Sequence, residues 1–159
     1  MIKVGDQIPS MTLKKATAEG PKPVTTDEMF KGRKVVMFAV PGAFTPTCSA
    51  KHLPGYVQNI AALKAKGVDE VVCMAVNDGF VMGAWGKDQG VGDDITMLSD
   101  GSGALTKAMG LELDLMAGGL GMRSQRFALV AVDGKVTHLA VEAAGQFDVS
   151  RAEAVLAAL

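Results

Sequence analysis

Residues 35–52 read VVMFAVPGAFTPTCSAKH: an apolar run, a Pro-Gly break and one cysteine, Cys48. Val35 to Val40 is uninterrupted apolar sequence between Arg33-Lys34 and Pro41-Gly42. Such a run fits a fully buried strand, although periodicity alone does not separate it from a buried helical segment. Pro41 ends the ladder, because proline has no N–H to donate. Thr45-Pro46 then offers a helix start, a hydroxyl cap followed by proline at the first helical position. Cys48 falls in the first turn, where unpaired N–H groups and the helix dipole favour an anion. The thiolate is the nucleophilic form of cysteine, and a helix N-terminus is one of the places that stabilise it. Thr45 lies one helical turn before Cys48, so its hydroxyl is within reach of the sulfur. A buried cysteine is otherwise an inert small hydrophobe, and the strand–turn–cap setting is what favours a nucleophile here.

Outward from this stretch, Ser49 to Lys66 carries Leu53, Tyr56, Val57, Ile60, Ala61 and Leu63 at helical spacing, with a kink expected at Pro54 and a stop at Gly67. Val71–Val76 reads as a second buried strand, Phe80–Gln89 as a helix, Ile95–Leu98 as a third strand and Gly103–Met109 as a helix stopped by Gly110. Residues 116–122 read as a loop. Arg126–Val132 and Lys135–Val141, joined by Asp133-Gly134, give a strong hairpin signal. Ser150 and Glu153 form a capping box for a helix ending at Leu159. Upstream, Met11-Thr12-Leu13 suggests a short edge strand, and Thr26–Phe30 a capped helix stopped at Gly32. Strand and helix alternate, followed by a hairpin and a final helix. That order predicts an α/β thioredoxin-like fold: a central mixed sheet, helices on both faces, and a C-terminal hairpin plus helix. Cys48 then lies just past the carboxyl end of a central strand, where open α/β sheets tend to place their sites.

The length of 159 residues suggests a single domain over 1–159 with capacity for a sizeable core. A net charge of −1 gives no nucleic-acid footprint. No apolar run approaches the roughly 20 residues that span a bilayer, so no membrane partner is expected. The N-terminus has no basic region followed by an apolar one, the pattern of a secretory signal. Two cysteines do not make a disulfide scaffold, and a reducing, cytoplasmic setting is the simplest expectation.

Pro41-Gly42-Ala43-Phe44-Thr45-Pro46-Thr47-Cys48 resembles the active-site loop of the peroxiredoxins, Pro-x-x-x-Thr-x-x-Cys. Extended through Ser49 and His52-Leu53-Pro54-Gly55, it is similar to the group containing plant type II and mammalian peroxiredoxin-five-type enzymes. The resemblance recurs at Val76-Asn77-Asp78, Leu111–Leu115, Gly119-Leu120-Gly121 and Arg123–Leu129, and so covers nearly the whole chain. It implies a thiol peroxidase that serves antioxidant defence and redox homeostasis. Cys48 would attack hydrogen peroxide or an alkyl hydroperoxide and become a sulfenic acid. By the same resemblance Arg126 contacts sulfur and peroxide, Thr45 positions the peroxide and Pro41 shields the sulfur. Gly42, Phe44, Thr47, His52 and Leu120 would shape the pocket, and a homodimer is expected, with Phe44, Phe80 and Trp85 able to face the partner.

The mammalian relatives carry a resolving cysteine near the C-terminus, and Gly145–Ser150 here has none. That departure implies a one-cysteine mechanism with glutathione, glutaredoxin or thioredoxin as reductant and no bound cofactor. Cys73, inside a strand, reads either as a resolving cysteine or as core, and core is favoured because a disulfide needs Cα atoms within about 7 Å. Arg123 is a second candidate for the role of Arg126. Without the family, Cys48 and His52 suggest a cysteine hydrolase, but a base one turn below its nucleophile is poorly aimed. A non-catalytic redox sensor is a further alternative. His138 reads as a strand surface residue, and two histidines with two separated cysteines form no zinc spacing. The glycines at 118, 119 and 121 follow no strand and lack a phosphate-binding pattern. Met116 and Met122, flanking that loop, could line an apolar approach suited to organic hydroperoxides.

Overall fold

The computed structural model describes residues 1–159. Strands are β1 (Thr12–Lys15), β2 (Lys22–Thr25), β3 (Lys34–Ala39), β4 (Glu70–Ala75), β5 (Thr96–Ser99), β6 (Glu112–Leu115), β7 (Gly121–Ser124), β8 (Phe127–Val132) and β9 (Lys135–Val141). Helices are α1 (Thr26–Phe30), α2 (Leu53–Gln58), α3 (Ile60–Ala65), α4 (Gly79–Asp88), α5 (Ala104–Met109) and α6 (Ala152–Ala158). A π-helical turn covers Cys48–His52, and a 3₁₀ turn covers Met116–Gly118.

The main sheet has seven strands in the order β2-β1-β5-β4-β3-β8-β9. β3, β4 and β5 are mutually parallel, while β8 joins β3 antiparallel, so the sheet is mixed as expected. β3 reads as a continuous apolar run because both of its faces are buried. Val36, Phe38 and Val40 enter one core with Tyr56, Leu63, Trp85 and Val155, whereas Val35, Met37 and Ala39 enter the other with Phe30, Leu98, Leu105 and Met109. Helices α2, α3, α4 and α6 thus cover the first face, and α1 and α5 the second. No helix is long and apolar enough to cross a membrane. The Asp133-Gly134 turn has φ of 52° and 77°, the left-handed pair that a two-residue hairpin demands.

Four local expectations need correction. The first strand is not at the edge: β2, which contains Pro23, pairs outside β1, and proline is tolerated there because one side needs no partner. The helix expected over Ser49–Lys66 is in three pieces. Leu53 N–H donates to the Cys48 carbonyl across the π turn just before Pro54, which has no N–H to continue the ladder. The second break is at Asn59, whose side-chain amide donates to the Gly55 carbonyl at 2.7 Å. The stretch 116–122 is not simply a loop, since β6 and β7 pair antiparallel with Leu115 opposite Gly121. Ser150 does not cap α6: its hydroxyl donates to Glu142 Oε2 at 2.7 Å, and the cap position is Arg151 with no side-chain bond.

Candidate active site

Register places the two groups that meet at the site. Ala39, the last residue of β3, pairs with Phe127, the first of β8. Arg126 therefore lies beside the point where β3 gives way to the Pro41 loop. Ala128 and Val130 belong to the same core as Cys48. Residues two apart on a strand share a face, so Arg126 also points to the Cys48 side.

Helical structure begins at Pro46, and Cys48 opens the π turn, wholly buried. Thr45 departs from the expected cap: its hydroxyl donates to the Gly42 carbonyl at 2.7 Å, which leaves its lone pairs free. Its carbonyl accepts the first helical bond, from Ser49 N–H at 2.9 Å. The loop is pinned from the neighbouring strand, where Asn77 Oδ1 accepts from Ala43 N–H at 2.9 Å. Phe44 holds a left-handed φ of 63°, uncommon for a large residue and maintained only where surroundings fix it. Gly42 is glycine for want of room: a Cβ there would sit 3.0 Å from both Arg123 Nη1 and Thr45 Cγ2.

Arg126 Nη2 donates to Cys48 Sγ at 3.1 Å, and its Nη1 lies 2.8 Å from His52 Nδ1. The guanidinium thus sets a cationic donor directly against the sulfur. His52 Nε2 lies 3.1 Å from the Ser150 carbonyl, so Nε2 carries the proton and Nδ1 accepts from the guanidinium. Both ring nitrogens are therefore engaged, and neither is free to take a proton from Cys48. The hydrolase alternative loses its base. Burial, followed by the Arg126 charge, pushes the His52 pKa down to about 3. Tyr56 shares the Ser150 carbonyl, donating at 2.7 Å, and burial pushes its own pKa up so that it keeps the proton it donates. Phe38 stacks on Tyr56 at 3.9 Å between ring centroids.

The neutral state of His52 has a consequence for stability. In the unfolded chain an imidazole takes up its proton near pH 6.5, while in the fold it does so only near 3. Between those values the unfolded state binds more protons, so stability falls as pH falls, by up to about 1.4 kcal/mol per pH unit. Denaturant midpoints are expected to start dropping near pH 6.5, above the range where carboxylates titrate. The His52→Asn variant should lack that upper part of the decline, and an identical slope in both proteins would contradict this placement of the proton.

A cleft of about 400 Å³ opens at the site, walled by Pro41, Thr47, Lys51, Leu113, Gln125, Arg126 and the segment 142–147. Of the residues expected to shape the pocket, Thr47 lines this cleft, while Gly42, Phe44, His52 and Leu120 do not. Phe44 and Leu120 are exposed, Gly42 is buried under Arg123, and His52 lies behind Arg126. Arg123 braces the loop instead of meeting the sulfur, donating to the carbonyls of Leu120 at 2.7 Å and Pro41 at 3.4 Å. Trp85 cannot face a partner, because it is fully buried and donates to Ser49 Oγ at 3.0 Å. The sequence assigns no site role to Asn77, Glu142 or Ser150: Asn77 enters only through the resemblance at Val76-Asn77-Asp78, and Ser150 only as a helix cap.

A buried cysteine against an arginine, past the end of a central strand, is the arrangement the motif implied. The Redoxin family model matches residues 3–156. Peroxiredoxin-2E-2, chloroplastic, from Oryza sativa is 53% identical over 99% of this chain and 72% of its own length. Peroxiredoxin-2B from Arabidopsis thaliana is 48% identical over 99% of this chain and 98% of its own. The chain belongs to the peroxiredoxins. Among solved structures, reduced Prx3 from Vibrio vulnificus in complex with H₂O₂ superposes with a TM-score of 0.95 at 52% identity, covering 99% of each chain. Peroxiredoxin 5 from Alvinella pompejana gives 0.88 at 35% identity, covering 99% of this chain and 97% of its own. As a peroxiredoxin the protein is a peroxidase, an oxidoreductase of the thioredoxin-like fold.

Proposed function

We propose that this peroxiredoxin reduces hydrogen peroxide and alkyl hydroperoxides by a one-cysteine cycle, with Cys48 as the reacting thiol and glutathione, assisted by glutaredoxin, as reductant. The observation that carries the reading is the guanidinium bond of Arg126 to the Cys48 sulfur at 3.1 Å beside an open cleft. The thiolate attacks one peroxide oxygen, an S–O bond forms, and the O–O bond breaks. The leaving oxygen takes a proton and departs as water or an alcohol, leaving a sulfenic acid on Cys48. Arg126 donates hydrogen bonds to the oxygens as charge moves onto the leaving group. Thr45 orients the peroxide through the lone pairs its Gly42 bond leaves free, Pro41 limits water at the sulfur, and the N–H groups of residues 47 and 48 complete the oxygen site. Glutathione thiolate then displaces hydroxide as water to give a mixed disulfide. A second glutathione releases Cys48 and leaves as oxidised glutathione. The cycle calls on no metal, haem or flavin.

Support for a single reacting cysteine comes from the position of Cys73. It sits in β4 between β3 and β5, paired with Phe38 on one side and Met97 on the other, and is fully buried. Burial pushes its thiol pKa well up, so it is a poor nucleophile toward a sulfenic acid. Leaving a central strand to reach Cys48 would break ladder bonds on both sides. The Cys73→Ala variant is expected to keep wild-type turnover with glutathione and glutaredoxin. Loss of turnover with an unchanged melting temperature would make Cys73 the resolving residue and move the reductant towards thioredoxin.

Phe44 and Phe80 are 53% and 76% exposed, large apolar side chains of the kind that a partner covers, and they support a homodimer. Two free thiols in the fold support a reducing compartment such as the cytoplasm.

A further inference from the structure

The hydrogen bonds around Arg126 close into a ring. Glu142 follows β9, and its N–H donates to the Arg126 carbonyl at 2.9 Å, which extends the β8–β9 ladder by one step. Its side chain turns inward and accepts three bonds at Oε2: from Ser150 N–H at 2.9 Å, Ser150 Oγ at 2.7 Å and Asp148 N–H at 2.6 Å. Glu142 is 8% exposed and Ser150 wholly buried. The Ser150 carbonyl, so fixed, receives His52 Nε2–H and the Tyr56 hydroxyl, and His52 Nδ1 receives Arg126 Nη1. The ring thus starts and ends on Arg126, once at its backbone and once at its guanidinium.

Each link constrains the next. A carbonyl only accepts, so it forces the proton onto Nε2 and leaves a lone pair on Nδ1. That lone pair takes one arm of the guanidinium fork, and the planar fork then aims Nη2 at sulfur. Burial pushes the Glu142 carboxyl up, but the Ser150 hydroxyl and the Ser150 and Asp148 N–H groups outweigh it and hold the carboxyl below its ordinary range. It is therefore an anion across neutral pH and a durable acceptor.

We propose that Glu142, acting through Ser150 and His52, is the positioning residue that sets the Arg126 guanidinium against the Cys48 sulfur. This rests on the role given to Arg126 above. It assigns to the 142–150 segment, whose residues 142–147 also wall the cleft, the task of holding the arginine in its reactive pose.

The test compares Glu142→Ala, Glu142→Gln, Arg126→Ala and the Glu142→Ala/Arg126→Ala double variant in the full chain. The rate constant for oxidation by hydrogen peroxide is followed by the fluorescence of Trp85, which bonds Ser49 next to Cys48. Glu142→Ala is expected to slow oxidation roughly 10- to 100-fold, the cost of misplacing a reacting group from a distance. Glu142→Gln, which keeps one acceptor oxygen, should fall between it and wild type. In the Arg126→Ala background, Glu142→Ala should add almost nothing, because its effect runs through that arginine. The pH profile of Cys48 alkylation should move the same way in Glu142→Ala and Arg126→Ala, which a merely structural role would not produce. Wild-type oxidation in both Glu142 variants, or rate losses that multiply in the double variant, would overturn the proposal. Should Glu142→Ala fail to fold, Glu142→Gln takes its place, alone and combined with Arg126→Ala, with the same two outcomes distinguished. An undiminished rate in Arg126→Ala alone would instead count against the proposed role of the arginine.

Discussion

The Cys48→Ser variant is expected to lose peroxide reduction by about a thousand-fold or more, the order of loss seen when a covalent nucleophile is removed. A serine hydroxyl is not ionised at neutral pH, and the S–O bond that starts the cycle has no counterpart in it. The substitution is close to isosteric, and Arg126 Nη2, now 3.1 Å from the sulfur, has an acceptor oxygen to address instead. The melting temperature should therefore change little, which separates lost chemistry from lost fold. Turnover near wild type in a peroxide-consumption assay would refute Cys48 as the nucleophile.

The second large effect belongs to Arg126. Arg126→Ala removes the donor on sulfur and the donors on the peroxide oxygens together, and a fall of about 100- to 1,000-fold in kcat/KM for peroxide is expected. Arg126→Lys should recover little of it. An ammonium is a compact charge and cannot give one planar arm to His52 and the other to Cys48. The measurement is the rate of Cys48 oxidation across a range of peroxide concentrations. If lysine restored the wild-type rate, charge alone would suffice and the fork geometry would be incidental.

The stretch from Val35 to His52 carries most of what is legible in the sequence. An apolar run buried on both faces and a proline that ends it are local facts, and the structure keeps both. Likewise the Asp133-Gly134 turn is set by two adjacent residues whose backbone must turn left-handed. The π turn is not legible, because its cause is Pro54, six residues downstream of Cys48, and proline signals a kink without saying which turn widens. The capping-box pattern at Ser150 misleads for a related reason. The pattern is local, but a buried carboxylate on Glu142, eight residues away in sequence, competes for the same hydroxyl and wins.

At the site, Arg126 can be placed by strand parity once Ala128 and Val130 are known to face the Cys48 core. What parity cannot supply is the link from His52 to the Ser150 carbonyl, a contact across 98 positions made possible only by the return of the chain after β9. From sequence His52 reads as a pocket residue and a poorly aimed base, whereas the fold sets it against the guanidinium of Arg126. Leu120 lies in the connection between β6 and β7, which form a separate two-stranded sheet, and its side chain is exposed there.

The most direct test of the one-cysteine cycle is the intact mass of the reduced protein after one equivalent of hydrogen peroxide, with and without glutathione. A one-cysteine cycle predicts one added oxygen, mapped to Cys48, and its replacement by a single glutathione adduct when the thiol is present. Loss of two hydrogens, with Cys48 joined to Cys73, would contradict it and make the cycle internal to the chain.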